Sequence, residues 1–232
     1  MIQVYPAESR YAMDLGWLRS RPSFSFGAYY DPDNTSFGVM RVCNDDVVAA
    51  GRGFGPHPHS DMEIVTIVLS GAIKHEDNLG NVAVTSAGQI QRMTAGSGMI
   101  HAEYNASETE ELELLQLWFM PSERGLAPSY ETSSYDPKRM NNTLLPVVSR
   151  QGSDRAAAIH QDMTIYLSRL EKDRQIIFQQ EEGRRVFLFV IEGRLTVDGT
   201  PLEPRDTARI EALSKMTIAA DEEAFFMLID LP

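Results

Sequence analysis

Two short clusters carry the side chains whose types and spacing suit them to chemistry: His57-Pro58-His59, and further along His101-Ala102-Glu103. Each places its two potential donors at i and i+2. Successive side chains of a β-strand point to opposite faces, so i and i+2 share a face. Two such strands side by side could aim three imidazoles and one carboxylate at a single interior point. Three neutral nitrogens and one hard oxygen suit a first-row divalent ion such as Fe, Ni, Cu, Mn or Zn. Each cluster follows a glycine-rich approach, Gly51-Arg52-Gly53-Phe54-Gly55 and Gly96-Ser97-Gly98. Glu63 offers a second carboxylate close to the first cluster. It stands an even number of residues from His59, so strand parity leaves it in competition with Glu103.

The elements that must position these residues are strands. Short apolar or alternating runs ended by Gly, Asn-Asp or Pro recur along most of the chain. Phe37–Val42 is expected to end at Asn44-Asp45-Asp46, and Ile64–Leu69 at Ser70-Gly71. Ala72–Asp77 turns at Asn78–Asn81 into Val82 and Val84. Glu111–Phe119 is apolar enough on both faces to be an inner strand. Strands at roughly 8–12-residue spacing predict an all-β sandwich or barrel. From Met120 to Ser149 the texture changes, with Pro121, Pro128, Pro137 and Pro146 in a polar stretch. Proline removes ladder donors, so this stretch reads as a connecting arm.

Beyond the arm the strands resume at 186–191, 195–197, 209–210, 216–219 and 225–231, with an Asp198-Gly199 hairpin turn. Val65–Gly71 and Phe187–Gly193 share the shape of a buried strand stopped by a polar residue and Gly. Superposing Gly71 on Gly193 places His57 and His59 on Gln179 and Glu181, so the second lobe lacks the histidine pair. His160, its one histidine, is expected to stand without a partner. The domain reading is a metal-binding first lobe over 1–120, an arm over 121–149, and a degenerate second lobe over 150–232.

Composition narrows the function. The 232 residues are 43% hydrophobic and 23% charged, with a formal charge of −12. That acidity, without a Lys/Arg cluster, argues against direct nucleic-acid contact. A single cysteine, Cys43, allows no internal disulfide, and it reads as a small buried strand residue rather than a reactive one. No run of about 18 apolar residues occurs, and Glu8, Arg10, Asp14, Arg19 and Arg21 interrupt the N-terminal region. A cytoplasmic monomer without membrane contact is expected. The chain has no Gly-x-Gly-x-x-Gly or phosphate-cradling loop, so no organic cofactor is expected. Phe54, Met93, Met99 and Trp118 could line an apolar pocket, or be simply core.

Gly51–His59 with Ser60-Asp61-Met62-Glu63, Gly96–Asn105 and Phe24–Pro32 together resemble the pirin family, over nearly the whole chain. The likeness is strongest to the bacterial branch described as quercetin 2,3-dioxygenases. The resemblance implies a bicupin: two cupin β-barrels (double-stranded β-helices) packed face to face, with one divalent transition metal in the first. Iron is the first choice, with Ni, Cu, Mn or Zn as alternatives. It also implies a ligand set of His57, His59, His101 and Glu103, which favours Glu103 over Glu63. The Pro-x-Gly turn usual before the second cupin histidine is replaced by Thr94–Gly98, which leaves the loop geometry open. The activity implied is cleavage of a flavonol such as quercetin by O2 with release of CO. Small planar aromatic substrate and O2 would be the partners, and Glu103 would be ligand and proton acceptor at once. A metal-containing co-regulator acting through protein partners, and a cupin isomerase or non-flavonoid dioxygenase, are the other readings.

Overall fold

The computed structural model describes residues 1–232. It is almost wholly β, with two short 3-10 turns at Ala7–Ser9 and Pro137–Met140, and no helix is long and apolar enough to cross a membrane. The chain forms two compact units. One comprises Tyr11–Tyr135 with Gln151–Gln161, the other Met1–Arg10, Asp136–Arg150 and Asp162–Pro232.

The first unit is a sandwich of a seven-stranded and a four-stranded sheet. The larger runs, edge to edge, Ser129–Ser134, Gln89–Thr94, Glu63–Ser70, Leu112–Phe119, Met40–Val48, Leu18–Pro22 and Met13–Asp14. The smaller runs Gly53–His59, Met99–Asn105, Ala72–Asp77 and Val82–Ser86. Glu63–Ser70, rich in the β-branched residues that suit a pleated surface, lies inside the large sheet between Gln89–Thr94 and Leu112–Phe119. An apolar cluster of Leu18, Val48, Val68, Ile73, Leu112 and Leu114 fills one part of the space between the sheets. A second cluster gathers Ile64, Met93, Ala95 and Met99.

The second unit repeats this plan, as the paired glycines predict. Ile2–Tyr5, Thr207–Glu211, Arg185–Glu192, Ala224–Leu231, Thr164–Leu170 and Leu145–Ser149 are neighbours in its large sheet. Its small sheet runs Gln175–Gln179, Lys215–Ala220, Leu195–Val197 and Thr200–Leu202. Gly71 and Gly193 occupy equivalent places after equivalent strands. Both have positive φ, +79° and +71°, and both abut a neighbouring carbonyl, of Glu111 and Glu223, where a Cβ would not fit. Phe178, Met216 and Ile218 join Leu188 and Leu228 in a continuous core of this unit. Its small sheet therefore contributes packing side chains where the first unit has histidines.

Two local readings need correction. The strand expected to stop before Asn44-Asp45-Asp46 instead runs Met40–Val48, and the turn comes earlier, at Phe37–Met40. Three polar residues in a row are expected to end the strand, yet Asn44 and Asp46 are buried and face inward. His160, expected in the second lobe without a partner, belongs to the first unit. Hydrogen bonds from Ser122 N–H to its carbonyl and from Gln161 Nε2 to Met120 O hold that segment in place. The stretch 121–149 carries an edge strand of the first unit, Ser129–Ser134, and Leu145–Ser149 of the second. The Asp198-Gly199 turn joins Leu195–Val197 to Thr200–Leu202 with φ of +46° and +78°.

Candidate metal centre and its cavity

His57, His59, His101 and Glu103 line one cavity of about 230 Å³ between the sheets of the first unit. The strands Gly53–His59 and Met99–Asn105 pair antiparallel, with His101 opposite His57 and Met99 opposite His59. Between His101 and Glu103 the register slips, so that Glu103 faces Phe54. A bulge of this kind re-aims side chains, and it turns Phe54 into the cavity along with the histidines. The strands approach closely there: a Cβ on Gly53 would lie within 2.5 Å of Tyr104 Cα, so only glycine fits.

Hydrogen bonds behind the rings fix which nitrogen is bare. His57 Nδ1 lies 2.8 Å from Gly55 O, an acceptor only, so Nδ1 carries the proton and Nε2 the lone pair. His75 Nε2 donates to Asp77 Oδ2 at 2.9 Å, leaving His75 Nδ1 to accept from His101 Nδ1 at 3.4 Å. His101 Nε2 is then bare as well. Asp77 is itself held by the backbone N–H groups of Leu79 and Asn81 and by Asn81 Nδ2, and the His75 ring stacks on Tyr130 at 4.1 Å.

The bare nitrogens fit a cation. His57 Nε2 and His101 Nε2 stand 3.0 Å apart, and His59 Nε2 is buried with no hydrogen-bond partner. Lone pairs so close repel unless a positive charge lies between them. Two nitrogens about 2.1 Å from one ion and at right angles would stand about 3 Å apart. Burial, reinforced by the neighbouring imidazoles, lowers the pKa of His59 to about 4 and of His101 to about 3. Both are neutral at pH 7 and able to donate. The ligand atoms of His75, His101 and Glu103 are also within 4.8 Å of one another. Both nitrogens of His75 are committed to Asp77 and His101, so it serves as a support for His101.

Glu103 is buried over a polar floor supplied by the large sheet. Gln91 Nε2 donates to its Oε1 at 2.6 Å and Gln116 Nε2 to its Oε2 at 2.9 Å. The amides are oriented in turn: Thr66 donates to Gln116 Oε1, and Tyr130 to Gln91 Oε1. Burial pushes the Glu103 carboxyl up to about 7, although both amides favour its ionised form. Aromatic and apolar side chains close the walls, among them Phe26, Phe54, Ile64 and Trp118. Phe26 and His59 each meet Trp118 edge to face. Of the aromatics and methionines singled out in the sequence, Phe54 and Trp118 thus face the cavity, while Met93 and Met99 are core.

Glu63 lies elsewhere. It is buried, and its Oε2 accepts from Thr94 Oγ1 and from the His160 backbone N–H; His160 Nδ1 is 3.6 Å from its Oε1. The even spacing from His59 misleads because the chain changes sheets between them. Asp61, with φ of +48°, turns it, and strand parity holds only within one strand. Sequence reading also missed His75, Asp77, Gln91, Gln116, Asn44 and Asp46. The i,i+2 pair His75 and Asp77 repeated the pattern already recognised in His57/His59. The rest were visible as polar residues inside otherwise apolar strands.

Asp46 makes a pH prediction for protein stripped of metal. Burial raises its carboxyl pKa to about 7, opposed by Ser20, against about 3.9 in an unfolded chain. The folded state holds the proton longer, so the stability tied to that proton is lost as pH rises from about 4 through about 7. Asp46→Asn should therefore match wild type below pH 4 and exceed it increasingly above, by on the order of 1–3 kcal/mol at pH 7.5. Urea midpoints at several pH values measure this, and a pH-independent difference would refute it.

Comparison with known proteins finds relatives along nearly the whole chain. The pirin family model matches residues 5–119, and the model of the quercetinase C-terminal cupin domain matches 146–231. A quercetin 2,3-dioxygenase of Escherichia coli K12 is 42% identical over 232 residues, covering 100% of this chain and 99% of that protein. A pirin-like protein of Caulobacter vibrioides is 39% identical, covering 99% of each. The crystal structure of the E. coli bacterial pirin YhhW in complex with nickel(II) superposes with a TM-score of 0.95 at 41% identity, covering 100% of this chain and 99% of that one.

Proposed function

The chain belongs to the pirin family, and from that premise we propose that it is a metal-dependent dioxygenase that opens a flavonol such as quercetin with O2 and releases CO. The observation carrying this reading is the set of bare histidine nitrogens and a buried carboxylate on one apolar-walled cavity. His57, His59 and His101 through Nε2, with Glu103, would hold one divalent transition ion per chain. Iron is the first choice, with Ni, Cu, Mn or Zn as alternatives, and the nickel bound by the E. coli relative supports a first-row ion. Such an ion supplies Lewis acidity toward the 3-hydroxyl and redox chemistry toward O2.

The chain's own residues do the rest. Glu103 takes the proton of the 3-hydroxyl, and Gln91 and Gln116 hold the carboxylate in place as its charge changes. Phe26, Phe54 and Trp118 hold a planar ring, and the apolar wall excludes water. In the balanced reaction the C2–C3 and C3–C4 bonds break, and C3 leaves with its oxygen as CO. Both atoms of O2 enter the remaining product, to which the proton on Glu103 returns. The cavity is below the roughly 300–1,000 Å³ of drug-sized pockets, so one end of a flavonol would fill it and the rest would reach its mouth. The partners are then a small aromatic substrate and O2.

Protein loaded in turn with Fe, Ni, Cu and Mn, and mixed with quercetin, should consume O2 and release CO with no organic cofactor added. Binding of quercetin without O2 uptake for any of the four metals would sink the dioxygenase reading in favour of a binding protein.

A further inference from the structure

Three polar side chains of the same cavity have no part in the mechanism above. Ser20, Asn44 and Asp46 line it and are only 2%, 3% and 3% exposed. They sit on adjacent strands of the large sheet, with Ser20 opposite Asp46 and Asn44 opposite Gln116. Gln116 is engaged with Thr66 and Glu103. Ser20 Oγ, Asn44 Oδ1 and Asp46 Oδ1, by contrast, find no hydrogen-bond partner in the protein. Ser20 is near enough to Asp46 to favour its carboxylate, but closes no hydrogen bond of good geometry.

Buried polar atoms are nearly always paired, and a group left over points to a ligand or a special role. The unpartnered oxygens of Asn44 and Asp46 are acceptors, so what they want is a donor. Around them stand Met13, Leu18, Phe26 and Phe54, so the donor must ride on an apolar, ring-like body. They belong to the large sheet and the histidines to the small one, so donor and metal-binding oxygen would lie at separate points of one ligand. We infer that Ser20, Asn44 and Asp46 form a hydroxyl-recognition subsite, selecting aromatic substrates that carry a second hydroxyl remote from the one offered to the histidines. The inference rests on the flavonol reading and deepens it: the chain discriminates among flavonols by their ring hydroxylation.

The test compares two probes, 3-hydroxyflavone, with one hydroxyl, and quercetin, with additional ring hydroxyls. Their binding to nickel(II)-loaded full-length protein is measured without O2 by fluorescence. Wild type should prefer quercetin by about tenfold or more, the worth of one good hydrogen bond to a buried acceptor. Asn44→Leu and Asp46→Leu, which remove the acceptor oxygens, should erase most of that preference while leaving 3-hydroxyflavone affinity within about twofold. Leucine fills the space of Asn44 without an unpaired carbonyl, so ligand-free Asn44→Leu should melt no lower than wild type, unlike a variant of a structural residue. An unchanged preference in both variants, equal weakening of both probes, or no preference in wild type would overturn the subsite alone. Failure of wild type to bind either flavonol would overturn the flavonol reading, and the subsite with it.

Discussion

Glu103→Gln is expected to lower turnover by about 10²–10⁴-fold, the usual worth of a positioned proton acceptor, while Glu63→Gln changes it little. An amide is no base at neutral pH and binds a divalent ion poorly. The surroundings sharpen the effect. Gln91 and Gln116 both present Nε2 to the carboxylate, and Tyr130 and Thr66 anchor their other ends. A glutamine at 103 would set donor against donor at one of these contacts, with no easy flip to relieve it. Metal content measured beside turnover separates the roles: a variant that keeps its metal and loses turnover has lost the base. Glu63→Gln retains an oxygen for Thr94 and His160 and lies outside the cavity. Turnover that depends on Glu63 and not on Glu103 would reverse the assignment.

The second large effect concerns the metal itself. His101→Ala should lose the ion under dialysis and leave the β fold standing, because the apolar clusters between the sheets, not the ion, hold the unit together. His101 is the natural choice for the test, since its Nε2 faces His57 and its Nδ1 faces His75. His75→Phe keeps the stacking surface on Tyr130 but removes the acceptor that fixes the His101 tautomer. Its affinity loss should be about 10–100-fold, as for neighbours of metal ligands generally, and clearly smaller than that of His101→Ala. Elemental analysis and circular dichroism together decide the outcome. Unfolding of His101→Ala at room temperature, or equal losses for the two variants, would contradict it.

Much of this protein is legible without coordinates because it is written in local patterns. The i,i+2 spacing of His57/His59 and His101/Glu103 records the pleat of a strand directly, whatever the rest of the chain does. The repeat marked by Gly71 and Gly193 is equally local, since both glycines answer to a positive φ after a buried strand. Fold class, the two-lobed plan and the four candidate ligands follow from such signals and from the family resemblance they support. What only the tertiary structure decided depends on which strands become neighbours. Parity could not separate Glu63 from Glu103, because the turn at Asp61 moves the chain to the other sheet. His75 supports His101 only because Ala72–Asp77 pairs with Met99–Asn105. Asn44 and Asp46 read as a turn until the strand through them is seen packed over a cavity with their side chains inside. A polar residue in a strand looks the same in sequence whether it meets water or a ligand; the surface opposite it decides, and that surface comes from a distant part of the chain.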